Sequence, residues 1–253
     1  MSVYLCLPAY NEEPSIDPLF QRIMALNDSY SVATERVKVI LYDDGSTDAT
    51  VAIANSWAAK IELTVLKNTT NKGLGVAVRS LLSHFASVAQ YGDIAIVMDC
   101  DDTHDPLQIP EMLVSLKSSD VVIASRYRRG STTSGVPSHR LFISFAFMLL
   151  VKLVLPIKGV RDYSCGYRAY SSEIIDRVSL LTDGQFVQES GFAAMPELLW
   201  NCARAGATVS EIPMQLSYDR KLSDSKMDVS DNTKRLLKLI FKLRMNGGFK
   251  ADD

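Results

Sequence analysis

Four aspartates, Asp99, Asp101, Asp102 and Asp105, fall within the nine-residue stretch MDCDDTHDP, directly after the mostly apolar run 93–98. Carboxylates this close repel and raise one another's pKa, so a strand end gains no stability by collecting them. They call for a counter-charge. Two further polar clusters have the same placement: Pro8-Ala-Tyr-Asn-Glu-Glu13 and Asp43-Asp-Gly-Ser46 each follow a short apolar run. Hard divalent cations take oxygen ligands, commonly one or two protein carboxylates together with substrate phosphates. The expectation is Mg²⁺ or Mn²⁺ on Asp99 and Asp101, itself holding a diphosphate. Asp105, beside Pro106, reads instead as a cap for the helix expected from residue 109.

Such clusters meet only if the elements before them lie side by side. Apolar runs predict strands at 3–7, 37–42, 61–66, 93–98 and 121–125. Between them, helical patterns cover 14–26, 47–60, 74–89 and 109–117, with Ser46 or Thr47 as cap of the second. Strands alternating with helices imply right-handed crossovers and a mainly parallel, Rossmann-like α/β sheet flanked by helices. Ligands of such a sheet sit beyond the carboxyl ends of its strands.

After Arg126 the pattern changes. A polar loop (127–137) leads to an apolar helix (140–155), a short strand (165–170), helices at 172–180 and 192–205, strands at 208–212 and 215–218, and a basic amphipathic helix at 230–245. No linker divides these parts. The expected organisation is one domain over 1–229, with a nucleotide half (1–125) and an acceptor half (126–229), followed by an amphipathic helical extension over 230–253.

The chain is 47% hydrophobic and 22% charged, enough for a full core, and its net charge of −2 exerts no global pull on nucleic acid. Cys6, Cys100, Cys165 and Cys202 are far apart, which argues against a zinc site or disulfide framework and for a reducing compartment. His84, His104 and His139 form no ligand set. The first residues lack a basic region and a long apolar run, so they read as a strand and not as a signal peptide. The 140–155 segment is shorter than the roughly 20 residues of a spanning helix and carries Lys152. It suits a core, an oligomer interface or a lipid surface. The basic amphipathic tail suits either docking on the sheet or an anionic interface.

The ordered set VYLCLPAYNEE (3–13), DDGSTDAT (43–50), Asn71-Lys-Gly-Leu-Gly75 and Asp99-Cys-Asp101 resembles family two glycosyltransferases of the GT-A fold, over about the whole chain. Ala124-Ser-Arg-Tyr127, Cys165-Gly-Tyr-Arg168 and Tyr218-Asp-Arg-Lys221 with Ser225-Lys226-Met227 look like the branch of dolichol-phosphate mannose synthases and bacterial polyprenyl-phosphate glycosyltransferases. The resemblance implies that Pro8, Tyr10 and Glu12 line the nucleoside, with Asp43 or Asp44, Lys72 and Cys100 near it. It implies that Asp99 and Asp101 hold the sugar diphosphate through the metal. Arg126, Arg220 and Lys226 would face phosphate oxygens, and Arg140 would serve the acceptor side. These synthases usually continue the D-x-D motif with Leu-Gln; Asp102 and Thr103 stand there instead. The third metal ligand is therefore open between Thr103, His104 and water.

The implied reaction is inverting transfer of a sugar from a GDP- or UDP-sugar to a polyprenyl or dolichyl phosphate. Charge grows on the leaving diphosphate, where a cation and guanidinium groups act. A phosphate acceptor needs little base catalysis. The Glu-Asp pair that many relatives use as base is absent; Glu189 and Asp102 are the remaining candidates. Glu197 reads equally as structural or substrate-contacting. Arg161 and Arg168 flank Asp162 and are expected to pair with it, and Arg220 with Lys226 reads as a cationic flap. With no spanning segment, lipid use implies a protein at the cytoplasmic membrane face. The alternatives are a soluble acceptor, a sugar nucleotidyltransferase, against which the lack of a glycine-rich phosphate loop near residue 8 argues, and a non-catalytic membrane module, against which the intact Asp99 and Asp101 argue.

Overall fold

The structure, a computed structural model, describes residues 1–30, 37–135, 145, 148–222, 235 and 237–239. Its strands in chain order are β1 (Val3–Ala9), β2 (Lys38–Asp43), β3 (Leu63–Lys67), β4 (Ile94–Val97), β5 (Val121–Ser125), β6 (Thr132–Ser134), β7 (Arg168–Ser171), β8 (Val209–Pro213) and β9 (Gln215–Ser217). Seven of them form one sheet in the order β3-β2-β1-β4-β7-β5-β8. All neighbours are parallel except β7, which runs antiparallel between β4 and β5. β4 and β5 are buried along their whole length, as apolar runs covered on both faces must be, while the edge strand β3 is half exposed. β6 and β9 make a small parallel ladder of their own.

The helices are α1 (Glu13–Tyr30), α2 (Thr50–Ser56), α3 (Leu74–Val88), α4 (Ile109–Leu116), α5 (described over 148–154), α6 (Ser172–Leu181) and α7 (Ala194–Arg204). α1 packs on α2, α4 on β5 and β8, and α3 groups with α6 and α7. The chain steps outward from β1 to β2 to β3, then returns across β1 to β4. The crossovers therefore change face at β1, and a crevice opens between the carboxyl ends of β1 and β4. The first and third polar clusters leave the sheet at that crevice.

Periodicity located these elements to within a few residues, with three differences. α2 starts at Thr50, and Ala49 precedes it without a side-chain cap. Ser46 and Thr47 are engaged elsewhere: the Asn11 N–H donates to Ser46 Oγ (2.9 Å) and the Thr47 N–H to Asn11 Oδ1 (2.8 Å). These bonds tie the loop after β1 to the loop after β2. Asp48 takes the N-terminal role, accepting from the Thr50 N–H at 3.0 Å. Second, α5 is one-sided where it is described. Met148, Val151 and Leu155 are buried, whereas Leu149, Leu150, Lys152 and Leu153 are exposed. Third, β6 (Thr132–Ser134) stands within the stretch read as a polar loop. Of the expected tail helix Arg235 and 237–239 are described; they are helical, with Leu239 buried. The remainder of 230–253, and residues 136–144 and 146–147 of the apolar segment, lie outside the described residues. All four cysteines are buried free thiols.

Candidate active site

A cleft of about 400 Å³ lies at the β1–β4 crevice. Its lining brings together Pro8, Tyr10, Glu12 and Asp44 from the first two clusters, Asp99, Cys100 and Asp101 from the third, and Arg126. Sequence reasoning had not placed Tyr218, Lys221 or Phe192 there, yet all three also line it.

The acidic loop is neutralised from two directions. Arg22, on α1, donates from Nη1 to Asp102 Oδ1 and pairs through Nη2 with Asp105 Oδ1, both at 2.7 Å. Asp105 also accepts from the Leu107 N–H at 3.0 Å, capping a 3-10 turn (Pro106–Gln108) that runs into α4. Burial raises the Asp102 carboxyl above the usual range, and Arg22 only partly opposes this. Asp102 is not among the cleft-lining residues.

Asp101 is held through both oxygens. Oδ1 accepts from the Thr103 N–H (3.2 Å) and Oγ1 (2.7 Å), and Oδ2 from Lys221 Nζ (2.5 Å). Burial works to raise this carboxyl, but Lys221 and His104 outweigh it and hold it below the usual carboxylate range. Asp99 differs. Its carboxylate accepts no hydrogen bond among the described residues and its side chain is 40% exposed to the cleft. Burial of the site, reinforced by the Asp101 charge, pushes it up, against the pull of His104 and Lys221. Gly166 leaves the room it occupies, since a Cβ there would stand 3.2 Å from Asp99 Oδ1.

His104 stacks on Tyr167 with ring centroids 5.2 Å apart. Its Nδ1 accepts from the Asp99 N–H at 3.3 Å, and its Nε2 stands 3.9 Å from Asp99 Oδ2. His104 thus faces both the backbone and the carboxylate of Asp99. Thr103 Oγ1 donates to Asp101 and keeps its lone pairs. Among the described residues no three His, Cys, Asp or Glu side chains form a cage. Two carboxylates lining the cleft still fit a hard cation that completes its shell with substrate oxygens and water.

After β2, Asp44 accepts from the N–H groups of Lys72 (3.0 Å) and Gly73 (2.7 Å), fixing the Asn71–Gly73 turn. Lys72 thus contributes its backbone, and its exposed side chain is not among the lining. Asp43 is buried, accepts from the Ser46 N–H at 3.1 Å, and does not line the cleft. α3 begins against the 188–191 loop. The Gly75 N–H donates to Ser190 O at 2.7 Å, and a Cβ on Gly75 would fall 1.9 Å from Glu189 O.

Arg126 leaves β5 and meets Asp162 side-on, with Ser164 Oγ accepting from Nη2 at 2.7 Å. Asp162 pairs with neither Arg161 nor Arg168. The Arg161 side chain reaches Tyr127 O (3.4 Å), while the N–H groups of 161 and 162 donate to Glu211 Oε1. Arg168, buried in β7, donates to Met195 O and Tyr163 O. Glu197 is buried and accepts from the Gln188 and Glu189 N–H groups, a structural role. Glu189 and Arg220 do not line the cleft; Arg220 is 43% exposed and stands 4.0 Å from Asp105. Arg140 and Lys226 lie outside the described residues. Lys221 carried the one available signal, its place in the Tyr218–Lys221 motif beside Arg220. A linear motif does not say which of two adjacent cations turns inward at the end of a 3-10 turn.

Residues 4–179 match the family model for Glycosyl transferase family 2. The chain is 31% identical to an undecaprenyl-phosphate mannosyltransferase of Micrococcus luteus, over 90% of this chain and 88% of that protein. It is 28% identical to a polyprenol monophosphomannose synthase of Mycolicibacterium smegmatis, over 92% and 83%. Among solved structures it is similar to glucosyl-3-phosphoglycerate synthase from Mycobacterium tuberculosis, crystallised with Mn²⁺, UDP and glucosyl-3-phosphoglycerate. That likeness has a TM-score of 0.65 at 20% identity, covering 96% of this chain and 79% of the other, and it shows a shared GT-A fold.

Proposed function

The chain belongs to glycosyl transferase family 2, and we propose that it transfers a hexose from a GDP- or UDP-sugar to a polyprenyl or dolichyl phosphate with inversion. The observation that carries this reading is the open Asp99 carboxylate beside the anchored Asp101, in a cleft at the switch point of a chain resembling polyprenyl-phosphate mannosyltransferases along nine-tenths of its length.

In this reading Asp99 and Asp101 hold Mg²⁺ or Mn²⁺, which when bound supplies positive charge to the leaving diphosphate. Pro8, Tyr10, Glu12 and Cys100 border the nucleoside. Asp44, which also lines the cleft, holds the Asn71–Gly73 turn against it. Arg126 spends Nε and Nη2 on Asp162 and Ser164 and keeps Nη1 for a phosphate oxygen. A guanidinium already oriented in this way loses little entropy on binding. The acceptor phosphate attacks as an anion near neutral pH, so a base is not required of Glu189 or Asp102.

The protein would act peripherally at the cytoplasmic membrane face. No described helix is long and apolar enough to cross a membrane. The exposed Leu149, Leu150 and Leu153 on α5 support contact with a lipid surface, and the same face is the candidate oligomer interface. The division at 125 and 229 remains part of this proposal.

The test is donor turnover. The protein is incubated with Mn²⁺ or Mg²⁺, GDP- and UDP-sugars and short-chain polyprenyl phosphate, and nucleoside diphosphate release is followed. Lipid-dependent release lost in Asp101→Ala is expected. Metal-dependent donor binding without lipid dependence would move the acceptor to a soluble molecule. Binding of no nucleotide sugar would overturn the reading.

A further inference from the structure

We propose that Lys221 is a relay cation: it occupies Asp101 Oδ2 until a divalent cation takes that oxygen, and it then turns to the diphosphate of the donor. This rests on the reading of Asp99 and Asp101 as the cation site. The argument starts from the inequality of the two Asp101 oxygens. Oδ1 is fixed by the N–H and hydroxyl of Thr103, two residues away in the same loop. Oδ2 is held by Lys221 Nζ at 2.5 Å, from 120 residues away. A cation shared with the open Asp99 carboxylate needs an oxygen of Asp101, and only Oδ2 has a partner that can leave without unmaking the loop. An ammonium and a divalent cation at that oxygen repel each other strongly in a partly desolvated site, which favours release of the ammonium.

Lys221 is built to leave. It follows the 3-10 turn Tyr218–Arg220, lines the cleft, and carries its charge on a flexible four-carbon stem. Asp99 and Glu12, whose charges also act on it, line the same cleft. Once the divalent cation engages the carboxylates, the strongest uncompensated anion within reach of the ammonium is a diphosphate in that cleft. One side chain thus keeps the acidic loop neutral before loading and contributes to donor binding after it. The Asp101 to Lys221 pairing seen here is the unloaded half of that cycle.

The first test uses the wild-type protein. Lysines are acetylated under limiting reagent and Lys221 is followed by peptide mass spectrometry without metal, with Mn²⁺ alone, and with Mn²⁺ plus GDP or UDP. Mn²⁺ occupancy is read separately by electron paramagnetic resonance, and the exposed Lys152 serves as internal control. Mn²⁺ alone should speed Lys221 labelling about fivefold, and nucleotide should slow it again, following release and recapture of the ammonium. Bound Mn²⁺ with unchanged labelling overturns the relay while leaving the cation site intact. No bound Mn²⁺, with or without nucleotide, overturns the cation site and the relay together. The second test is Lys221→Met: affinity for Mn²⁺ alone should rise about tenfold, and affinity for GDP or UDP at saturating Mn²⁺ should fall about tenfold. Unchanged affinity for either Mn²⁺ or nucleotide in this variant also overturns the relay.

Discussion

Arg126 meets Asp162 in a two-bond pair, Nε to Oδ2 and Nη2 to Oδ1, both at 2.8 Å, and the carboxylate is fully buried while the guanidinium borders the cleft. Burial alone would raise the Asp162 carboxyl. The guanidinium and the N–H groups of Arg126 and Cys165 outweigh it and hold the group below the usual carboxylate range. A depressed folded pKa contributes stability above the unfolded value, about 3.9, and that contribution is lost as pH falls through the folded pKa. The wild type should therefore lose stability progressively below about pH 4. Asp162→Asn should cost about 3 kcal/mol at pH 7 by stranding Arg126, and should flatten the acid limb. Urea unfolding at pH 7 and at pH 3 to 4 measures both.

Asp99 accepts no hydrogen bond among the described residues and opens on the cleft. Asp99→Asn should leave the urea midpoint nearly unchanged, because no hydrogen bond to the carboxylate is lost. Turnover should fall by roughly 100-fold or more, the usual scale for removing a group that stabilises transition-state charge. Equal losses in stability and turnover would assign Asp99 a structural role.

Arg22 serves Asp102 and Asp105 with its two terminal nitrogens at once. A lysine has one charged nitrogen and cannot span both carboxylates. Arg22→Lys should cost about 1 kcal/mol and Arg22→Ala about 2 kcal/mol, less than for a fully buried pair because Arg22 is partly exposed. Donor affinity should weaken in the same order, since this loop presents Asp99 and Asp101. Denaturation and nucleotide titration on the two variants check the ranking.

Gly75 meets the 188–191 loop so closely that a methyl group has no place. Gly75→Ala should destabilise by about 2–3 kcal/mol through overpacking. By shifting that loop it should displace Phe192, which lines the cleft, and raise the KM for donor more than it lowers kcat. The control Gly92→Ala meets nothing within 4 Å and probes the cost of its positive φ of 83° alone.

The fold was legible in the sequence wherever a short apolar run was followed by a polar cluster. β1, β2, β4 and β5, and the helices between them, follow from periodicity, because burial on both faces of a parallel sheet leaves an unmistakable run. The presence of β7 was legible and its direction was not, since strand direction depends on which neighbours the chain returns between. The placement of the Pro8, Asp43 and Asp99 clusters at strand ends was likewise readable from order alone.

What only the tertiary structure decided is which charge answers which. The sequence alone determined that the aspartates after β4 require cations and that basic residues are at hand. It did not determine that Arg22 takes Asp102 and Asp105, that Lys221 and not its neighbour Arg220 takes Asp101, or that Asp162 turns from Arg161 and Arg168 to Arg126. These pairs join residues 36 to 120 positions apart. Local sequence sets which residues carry charge; a Coulomb interaction worth using requires contact within a few ångströms, and that proximity is created only when the strands and turns have packed.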